Sequence, residues 1–329
     1  MSQAQDVTLT ESPLGGPLPT GTGVTLGDGT AKQYRSLWSN AWRQFRMHRL
    51  AVAGLVVIVF ITVACFVGTM IYPRGIDDID FLMTSASPSS TYPFGTDALG
   101  QDILARILWG GRISLSVGFL SALVAISVGT LVGASAGFFG GATDGFLMRL
   151  TDLFICLPQL PLLLLISFLY REKVYRWADA QFGDGNIGIF LLIILVIAVL
   201  NWMSTARLVR AEFLRLKEKE FVEAARSIGA RQTTLMFKHI LPNVLSQIIV
   251  AATLSVGAAI ITESTLSFLG LGFPSDVPTW GRMLFEAQSY FQFYPYQALF
   301  PGMVIFLTVL SINYIGDGLR DALDPRKTR

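Results

Sequence analysis

Charged residues are scarce in this 329-residue chain. They make up 15% of it, whereas soluble proteins usually have about 25%. Cysteine and histidine are nearly missing, with two of each. Cys65 and Cys156 lie in apolar stretches, and His48 and His239 are far apart in sequence. These spacings predict neither a disulfide nor a metal site. Because 52% of the residues are hydrophobic, the composition indicates a membrane protein.

Several motifs of enzymes are also missing from the sequence. It has no G-x-x-x-x-G-K-[ST] phosphate loop, no G-x-S-x-G nucleophile turn and no H-E-x-x-H pair. We therefore expect a chain that is not itself an enzyme and that binds no cofactor. We expect no nucleic-acid partner either, because membrane topology alone explains where the basic residues lie.

Six apolar stretches are long enough, or nearly long enough, to cross a bilayer, which takes about 20 residues. They are residues 50–72, 113–139, 153–170, 187–206, 243–262 and 294–315. The third is short but can be extended back toward Phe146. The pattern predicts an all-α, polytopic protein of six transmembrane helices, with both termini on the same side of the lipid bilayer.

Loop charges predict the orientation of these spans. Most of the 25 Lys and Arg residues lie in the N-terminal segment, in residues 207–238 and in the C-terminal tail. Lys and Arg are enriched in the cytoplasmic loops of membrane proteins. We therefore expect both termini and residues 207–238 to be cytoplasmic, in a bacterial or archaeal inner or plasma membrane.

Composition divides the chain into four parts. Residues 1–31 are rich in Gly, Thr and Ser without periodicity, which is typical of a disordered tail. The other parts are an interfacial helix with the first span and an outer loop, a domain of five spans, and a short cytoplasmic tail. These parts are residues 32–111, 112–321 and 322–329.

The interfacial helix is predicted from residues that recur at helical spacing before the first span. They are Tyr34, Leu37, Trp38, Ala41, Trp42 and Phe45. The basic residues Arg35, Arg43 and Arg46 fall largely on other faces. This pattern is typical of a helix that lies on the inner leaflet. The alternative is a basic flank with incidental aromatic residues.

Small residues recur every four positions along the second span: Ser121, Ala125, Gly129, Gly133 and Gly137. In a membrane, such a stripe lets another helix approach closely. We therefore expect the second span to be buried within the helix bundle.

Prolines occur inside two predicted spans. Pro158 and Pro161 lie in the third, and Pro301 lies in the sixth. Neighbouring helices can satisfy the backbone groups that a proline leaves free in a membrane. We predict local bends at these positions, either in helices that move or as static kinks.

The connection between the fourth and fifth spans, residues 207–242, is too long and too polar for a simple loop. Its first part is rich in good helix formers. Gly229 is placed where a helix end needs a residue with positive φ. A second short helix over residues 231–240 would follow, and Pro242 would open the fifth span. We predict a helix-turn-helix that projects from the membrane.

This connection resembles the EAA loop of the membrane subunits of ABC importers. The matching residues are Glu223, Ala224, Ala225, Gly229, Leu241 and Pro242, and His239 stands where the family usually has Ile. Residues 221–242 are called the EAA segment below. The resemblance implies that this segment docks on an ATP-hydrolysing subunit. Glu223 would make polar contacts there, Ala224 and Ala225 would permit close packing, and Gly229 would make the turn. Alternatively, Glu223 belongs to a solvated face with Glu212, Glu218 and Glu220.

Further motifs resemble the C-type permease subunits of dipeptide, oligopeptide and nickel importers. They are Phe94 to Asp97, Gly100 to Asp102 with Gln101 in place of the usual Arg, Arg149 with Asp152 and Pro158, Glu263 with Leu266 to Gly272, Pro278 to Gly281, and the closing block from Gly316 to Arg326. The resemblance implies the fold of a type I importer permease that transports di- or oligopeptides, nickel or another peptide-like solute.

The resemblance also implies partners. They are a second homologous permease subunit, two ATP-binding subunits that hold ATP and Mg²⁺, and an extracytoplasmic solute-binding protein. The binding protein would dock on the predicted outer loops, residues 73–111, 171–186 and 270–293.

Two ionisable residues in predicted spans need an explanation, because a charge in a membrane is costly and usually functional. Glu263 would either face the translocation path or hold helices together through partners such as Thr262 and Ser264. Asp152 allows the same alternatives, with Arg149 as a structural partner. Gly129 and Gly133 could likewise line the path or pack helices.

Two other classes of function compete with an importer subunit. A self-sufficient secondary transporter would carry an internal inverted repeat, and the sequence shows no such repeat. A membrane scaffold or sensor would transport nothing.

Overall fold

The computed structural model describes residues 37–323, and side chains from residue 41 onward. The predicted tail 1–31, together with Tyr34 and Arg35, lies outside the described residues. Of the predicted C-terminal tail, only Ala322 and Leu323 lie inside, and they end the last helix.

Within the described range the chain is helical and has no strand, only two isolated β-bridges near residues 79–102. This confirms the all-α prediction. The α-helices are α1 (Leu37–Met47), α2 (Arg49–Ile71), α3 (Ile103–Phe139), α4 (Gly141–Cys156), α5 (Gln159–Phe182), α6 (Gly185–Val199), α7 (Met203–Leu216), α8 (Glu220–Ser227), α9 (Gln232–Thr234), α10 (Leu241–Phe268), α11 (Trp280–Ala287) and α12 (Tyr296–Leu323). A π-helical segment, Leu235–Ile240, joins α9 to α10.

Four helical segments are long and apolar enough to cross a membrane: α2, α3, the continuous segment Gln232–Phe268 and α12. Two bent pairs raise the number to as many as six if each pair is one span. The α4–α5 pair is bent by 85° and the α6–α7 pair by 45°. Each of the six predicted stretches falls on one of these helices or pairs.

The sharp bend between α4 and α5 follows from Pro158. A proline disfavours helical backbone at the residue before it, and Leu157 is extended, with ψ of 135°. Pro158 is itself the N-cap of α5, and Pro161 lies in the first turn, where a missing N–H costs little. The predicted bend in the third span is therefore confirmed. Pro301 lies inside α12 without ending that helix.

Most of the predicted outer loop over residues 171–186 is helical, because α5 continues to Phe182. The exposed i,i+4 ion pair of Glu172 and Arg176 supports its last turns. Gly183, with φ of +73°, then ends the helix. Hydropathy marks where a helix leaves the apolar layer, and this helix continues beyond that point.

The other two predicted outer loops are also partly helical. Helix α3 begins at Ile103, about ten residues before the predicted span, because the Asp102 side chain caps it by accepting from the N–H groups of Leu104 and Ala105. Helix α11 lies within the predicted loop 270–293.

The stripe of small residues on α3 is buried, as predicted. Its three glycines pack against α7 so closely that no side chain fits between the two helices there. A Cβ atom added at Gly129 would lie 2.6 Å from the Trp202 carbonyl oxygen, and one at Gly137 would lie 2.7 Å from Phe213 Cβ. For Gly129 and Gly133, this close approach favours the helix-packing role over lining of the path.

Helix α1 exists as predicted, and one of its faces packs on the bundle. Ala41 and Phe45 are buried in a cluster with Ala51 of α2 and Ala322 of α12, while Trp42 is exposed. His48 separates α1 from α2 and caps α2, because its Nδ1 accepts from the Ala51 N–H at 3.1 Å. The location of α1 on the inner leaflet stays a prediction.

Candidate coupling site

Helix α8 carries the Glu223–Ala224–Ala225 motif. Its first turn holds Glu220 and Glu223, where the free N–H groups of a helix favour negative charge. Val222 and Ala225 point the other way, into a core cluster that α7, the π-helical segment and α10 share. Burial of this apolar side fixes α8 against the bundle.

The turn after α8 has the predicted form. Gly229 has φ of +84°, and its N–H donates to the Arg226 carbonyl at 3.0 Å. The Ala230 N–H donates to the Ala225 carbonyl at 3.1 Å. These two bonds make a Schellman ending, in which a left-handed residue is required.

The second half of the EAA segment differs from the prediction of a separate short helix that stops before Pro242. Helix α9, the π-helical segment and α10 form one continuous run, Gln232–Phe268. The Leu241 N–H donates to the carbonyl of Met236, five residues back, which is the hydrogen-bond pattern of a π-helix. Pro242 has no N–H to donate, and the helix continues past it through this wider turn.

The exposed side of α8 is apolar at its centre. Phe221, Ala224 and Ile228 are exposed, with spacing that places them on one side of a helix, and Ile228 is 86% exposed. These three residues are called the EAA face below. A helix that buries one apolar side and exposes another indicates a surface for a partner.

The motif residues divide between the two sides of α8. Glu223 and Ala224 are exposed, whereas Ala225 is buried inside this chain. Ala225 therefore packs within the chain, and the predicted close packing on a partner is left to Ala224. Within residues 37–323 the Glu223 carboxylate has no hydrogen-bond or ion-pair partner.

The remaining motif residues lie where the segment returns to the bundle. His239 and Leu241 are partly buried, and Pro242 is exposed. The Glu212 carboxylate is ion-paired with Arg215 at 2.6 Å, whereas Glu218 and Glu220 are exposed like Glu223.

Glu263 of α10 is 0% exposed. The hydroxyls of Ser114 and Ser267 donate to its two carboxylate oxygens at 3.2 and 2.8 Å. The Ser114 hydroxyl also accepts from the backbone N–H of Trp280 at 3.3 Å. Glu263 therefore joins α3, α10 and α11.

Serine partners were predicted for Glu263, and Ser114 and Ser267 fill that role. Thr262, one of the two examples named, donates instead to the carbonyl of Ala258. Because Glu263 is enclosed by its own chain, this geometry favours the helix-holding role over contact with the translocation path.

Asp152 of α4 pairs with Arg207 of α7 at 2.5 Å, not with the predicted Arg149. A second ion pair that sequence analysis missed, Arg210 to Asp144 at 2.6 Å, joins the same two helices. Both pairs are partly exposed, so each contributes little to stability by itself.

Comparison with known proteins identifies the family. Residues 129–329 match the family model described as binding-protein-dependent transport system inner membrane component. The chain belongs to this family. Residues 36–88 also match the N-terminal transmembrane domain of oligopeptide transport permease C.

Three relatives show the extent of the similarity. The oligopeptide transport system permease protein OppC of Haemophilus influenzae is 38% identical over 294 residues, which cover 89% of each chain. The glutathione transport system permease protein GsiD of Pectobacterium atrosepticum is 39% identical, covering 90% of this chain and 93% of the relative. OppC of Bacillus subtilis is 36% identical, with 90% and 92% covered.

This protein is therefore a polytopic inner-membrane permease subunit of an ABC importer of the C-type branch. It is not catalytic, since ATP hydrolysis in this family belongs to partner proteins. The family works with ATPase and solute-binding partners.

Sequence analysis missed a buried ionic network at the N-terminal end of α3 in this permease subunit. Arg106 is buried, and its guanidinium contacts Asp97 at 2.6 Å and Glu286 of α11 at 2.9 Å. It also donates to the side-chain oxygen of Gln101. These four residues are called the Arg106 network. It ties the loop before α3 to α11.

The sequence held one signal of this network, the block from Phe94 to Asp102. Gln101, which replaces the family's usual Arg, bonds Arg106 through its oxygen and the Ile76 carbonyl through its nitrogen. Tyr72 donates to Asp102 at 2.6 Å.

Proposed function

We propose that this permease subunit forms half of the translocation pathway of a peptide importer. Its relatives are named for oligopeptides and for glutathione. The subunit would pair with a second homologous permease subunit, two ATP-binding subunits and one extracytoplasmic solute-binding protein.

The EAA face is the proposed contact with an ATP-binding subunit. Phe221, Ala224 and Ile228 supply apolar surface. The Glu223 carboxylate, which is unpaired within residues 37–323, lies beside them. This exposed apolar side, on a helix whose opposite side is fixed in the core, is the observation that carries the proposal.

Two connections would transmit movement of α8 to the membrane. Val222 and Ala225 pack in the cluster that includes Val209 and Phe213 of α7. After the Gly229 turn, the second half of the EAA segment continues without a break into α10, in the run Gln232–Phe268. Closure of the ATP-binding subunits would thus displace both helices and open the pathway toward the binding protein.

The orientation follows from charge. Lys and Arg concentrate in residues 207–238 and near the termini, so these would be cytoplasmic. The binding protein would then dock at the other end of the bundle, on the segment before α3 and the segment that contains α11.

Co-purification tests the docking. The whole importer is expressed with Ile228→Glu, and the ATP-binding subunits that remain bound are quantified. A charge in an apolar contact should release them. The matched control is Leu82→Glu. Leu82 is 93% exposed and lies near the other end of the helix bundle, so this variant should retain the ATP-binding subunits.

Uptake tests the cargo. The wild-type importer is reconstituted in proteoliposomes, with its binding protein on one side of the membrane and ATP on the opposite side. It should move a labelled tripeptide to the side that holds ATP. Retention of the ATP-binding subunits by Ile228→Glu would overturn the docking, and uptake of Ni²⁺ without uptake of peptide would overturn the cargo.

A further inference from the structure

A recess of about 310 Å³ opens between α3, α7 and α10, beside the break that separates α6 from α7. Ser121 lies at the middle of α3 and Ser255 near the middle of α10, so the recess lies halfway along both long helices. Asn201 and Ser204 line it at the break. None of the described residues that line the recess is ionisable.

The helix break supplies part of the polarity of the recess. Helix α6 ends at Val199 and α7 begins at Met203, which interrupts the backbone hydrogen bonds of the pair. The side-chain amide of Asn201 replaces one of these hydrogen bonds by donating to the Ile197 carbonyl at 2.7 Å. Non-helical backbone at membrane depth is tolerated where protein buries it or where it lines a water-filled cavity.

Ser121 provides an independent sign of a ligand. Its side chain is buried, and its hydroxyl has no partner among the described residues. A serine in a helix can donate to the carbonyl four residues back, as Ser127 and Ser255 do. Ser121 does not, and a buried hydroxyl without a partner is costly.

We infer that this recess is a station of the translocation path that takes up an uncharged hydrogen-bonding group of the cargo, namely a backbone amide of the peptide. This inference rests on the proposed function. A backbone amide offers both a donor and an acceptor, and a serine hydroxyl can pair with either.

The uncharged lining fits this group better than a peptide terminus or a charged side chain. Peptides of different sequence share their backbone amides, so a station built for the amide accepts them all. Passage also requires that each station bind weakly enough to release the cargo, and a few neutral hydrogen bonds meet that requirement.

The first test is protection of a cysteine in the recess. Ser255→Cys is made in a chain that also carries Cys65→Ala and Cys156→Ser, within the whole reconstituted importer. Its matched control is Thr253→Cys. Ser255 and Thr253 both donate to the carbonyl four residues back, at 2.8 and 2.9 Å.

Thr253 lies two residues away on α10, about 200° around the helix, and lines a different groove with α2. A water-soluble methanethiosulfonate should modify Ser255→Cys, and turnover with trialanine-loaded binding protein and ATP should slow that modification severalfold. The rate at Thr253→Cys should not depend on trialanine. Equal rates at Ser255→Cys with and without trialanine would overturn the inference.

The second test removes the hydroxyl with Ser121→Ala and measures peptide delivered per ATP hydrolysed. Trialanine delivery should fall about three- to tenfold for one lost hydrogen bond. Wild-type importer should deliver N-methylated trialanine less well than trialanine, and the variant should deliver both alike, which loss of packing alone would not produce. An unchanged preference would overturn the inference.

The tests also separate this inference from the proposed function. If the wild-type importer accumulates trialanine and either test fails, only the station is wrong. If the wild-type importer accumulates no trialanine, the proposed cargo is wrong.

Discussion

The regions at the two ends of α3 differ in whether their charged and apolar groups find partners within this chain. At its N-terminal end, the Arg106 network buries a guanidinium and pairs it with two carboxylates of the same chain. Beyond its C-terminal end, α8 exposes Phe221 and Ile228 and leaves the Glu223 carboxylate unpaired within the described residues. The charged groups of the first end are paired within this chain, whereas those of the second would find their contacts on the proposed ATP-binding partner.

This contrast separates two kinds of effect. Substitutions in the Arg106 network should lower the stability of the subunit itself, because they leave a partner without its counter-charge. Substitutions on the EAA face should leave the subunit folded and weaken its assembly. The predictions below compare the two ends, beginning with the largest effect.

Arg106→Met should produce the largest loss of stability. Removing one partner of a buried ionic group costs about 3–5 kcal/mol. Asp97 would lose its ion-pair partner, whereas Glu286 would keep its second one, Arg282, at 2.9 Å. Thermal unfolding of the purified subunit in detergent measures the change. The control, Arg176→Met, removes an ion pair whose side chains are about 70% exposed and should change stability by less than about 0.5 kcal/mol. Equal losses would contradict the described burial of Arg106.

Val222→Ala and Phe221→Ala should separate stability from assembly within α8. Val222 is buried, so its truncation should cost about 2 kcal/mol of unfolding free energy. Phe221 is 42% exposed, so its truncation should change unfolding little and reduce the ATP-binding subunits recovered on co-purification. A Phe221→Ala variant that unfolds earlier but assembles fully would reverse the assignment of the two sides.

Gly229→Ala and Gly183→Ala should give the smallest changes. Both glycines have positive φ, and a Cβ atom would meet nothing within 4 Å at either. Backbone strain alone should therefore cost about 1 kcal/mol in each variant. Only Gly229→Ala should also lower the ATP hydrolysis that loaded binding protein stimulates, because only Gly229 lies in the turn that orients α8. Equal effects of both on stimulated hydrolysis would show that the turn has no special place in coupling.

Local features of the fold were predictable from sequence. The α3 stripe and the Gly229 turn depend on residues within a few positions of each other, so spacing alone indicates them. Similarly, Pro158 acts on its own neighbour, Leu157, and the bend there was predicted.

Contacts between distant residues were not predictable. Glu263 meets Ser114, and Arg106 meets Glu286, only because the bundle brings separate helices together. Hydropathy also failed at the end of α5, because it reports where charges begin and not where a helix stops. The division of Ala224 from Ala225 needed the orientation of α8, which the motif does not contain.

Photo-cross-linking from the EAA face tests the central claim most directly. A benzophenone amino acid is placed at Ile228, and at Leu82 as the control, in the whole importer in its membrane. The account predicts an adduct between the Ile228 probe and an ATP-binding subunit, and none with that subunit from Leu82. No such adduct from Ile228, or the same adduct from both positions, would contradict it.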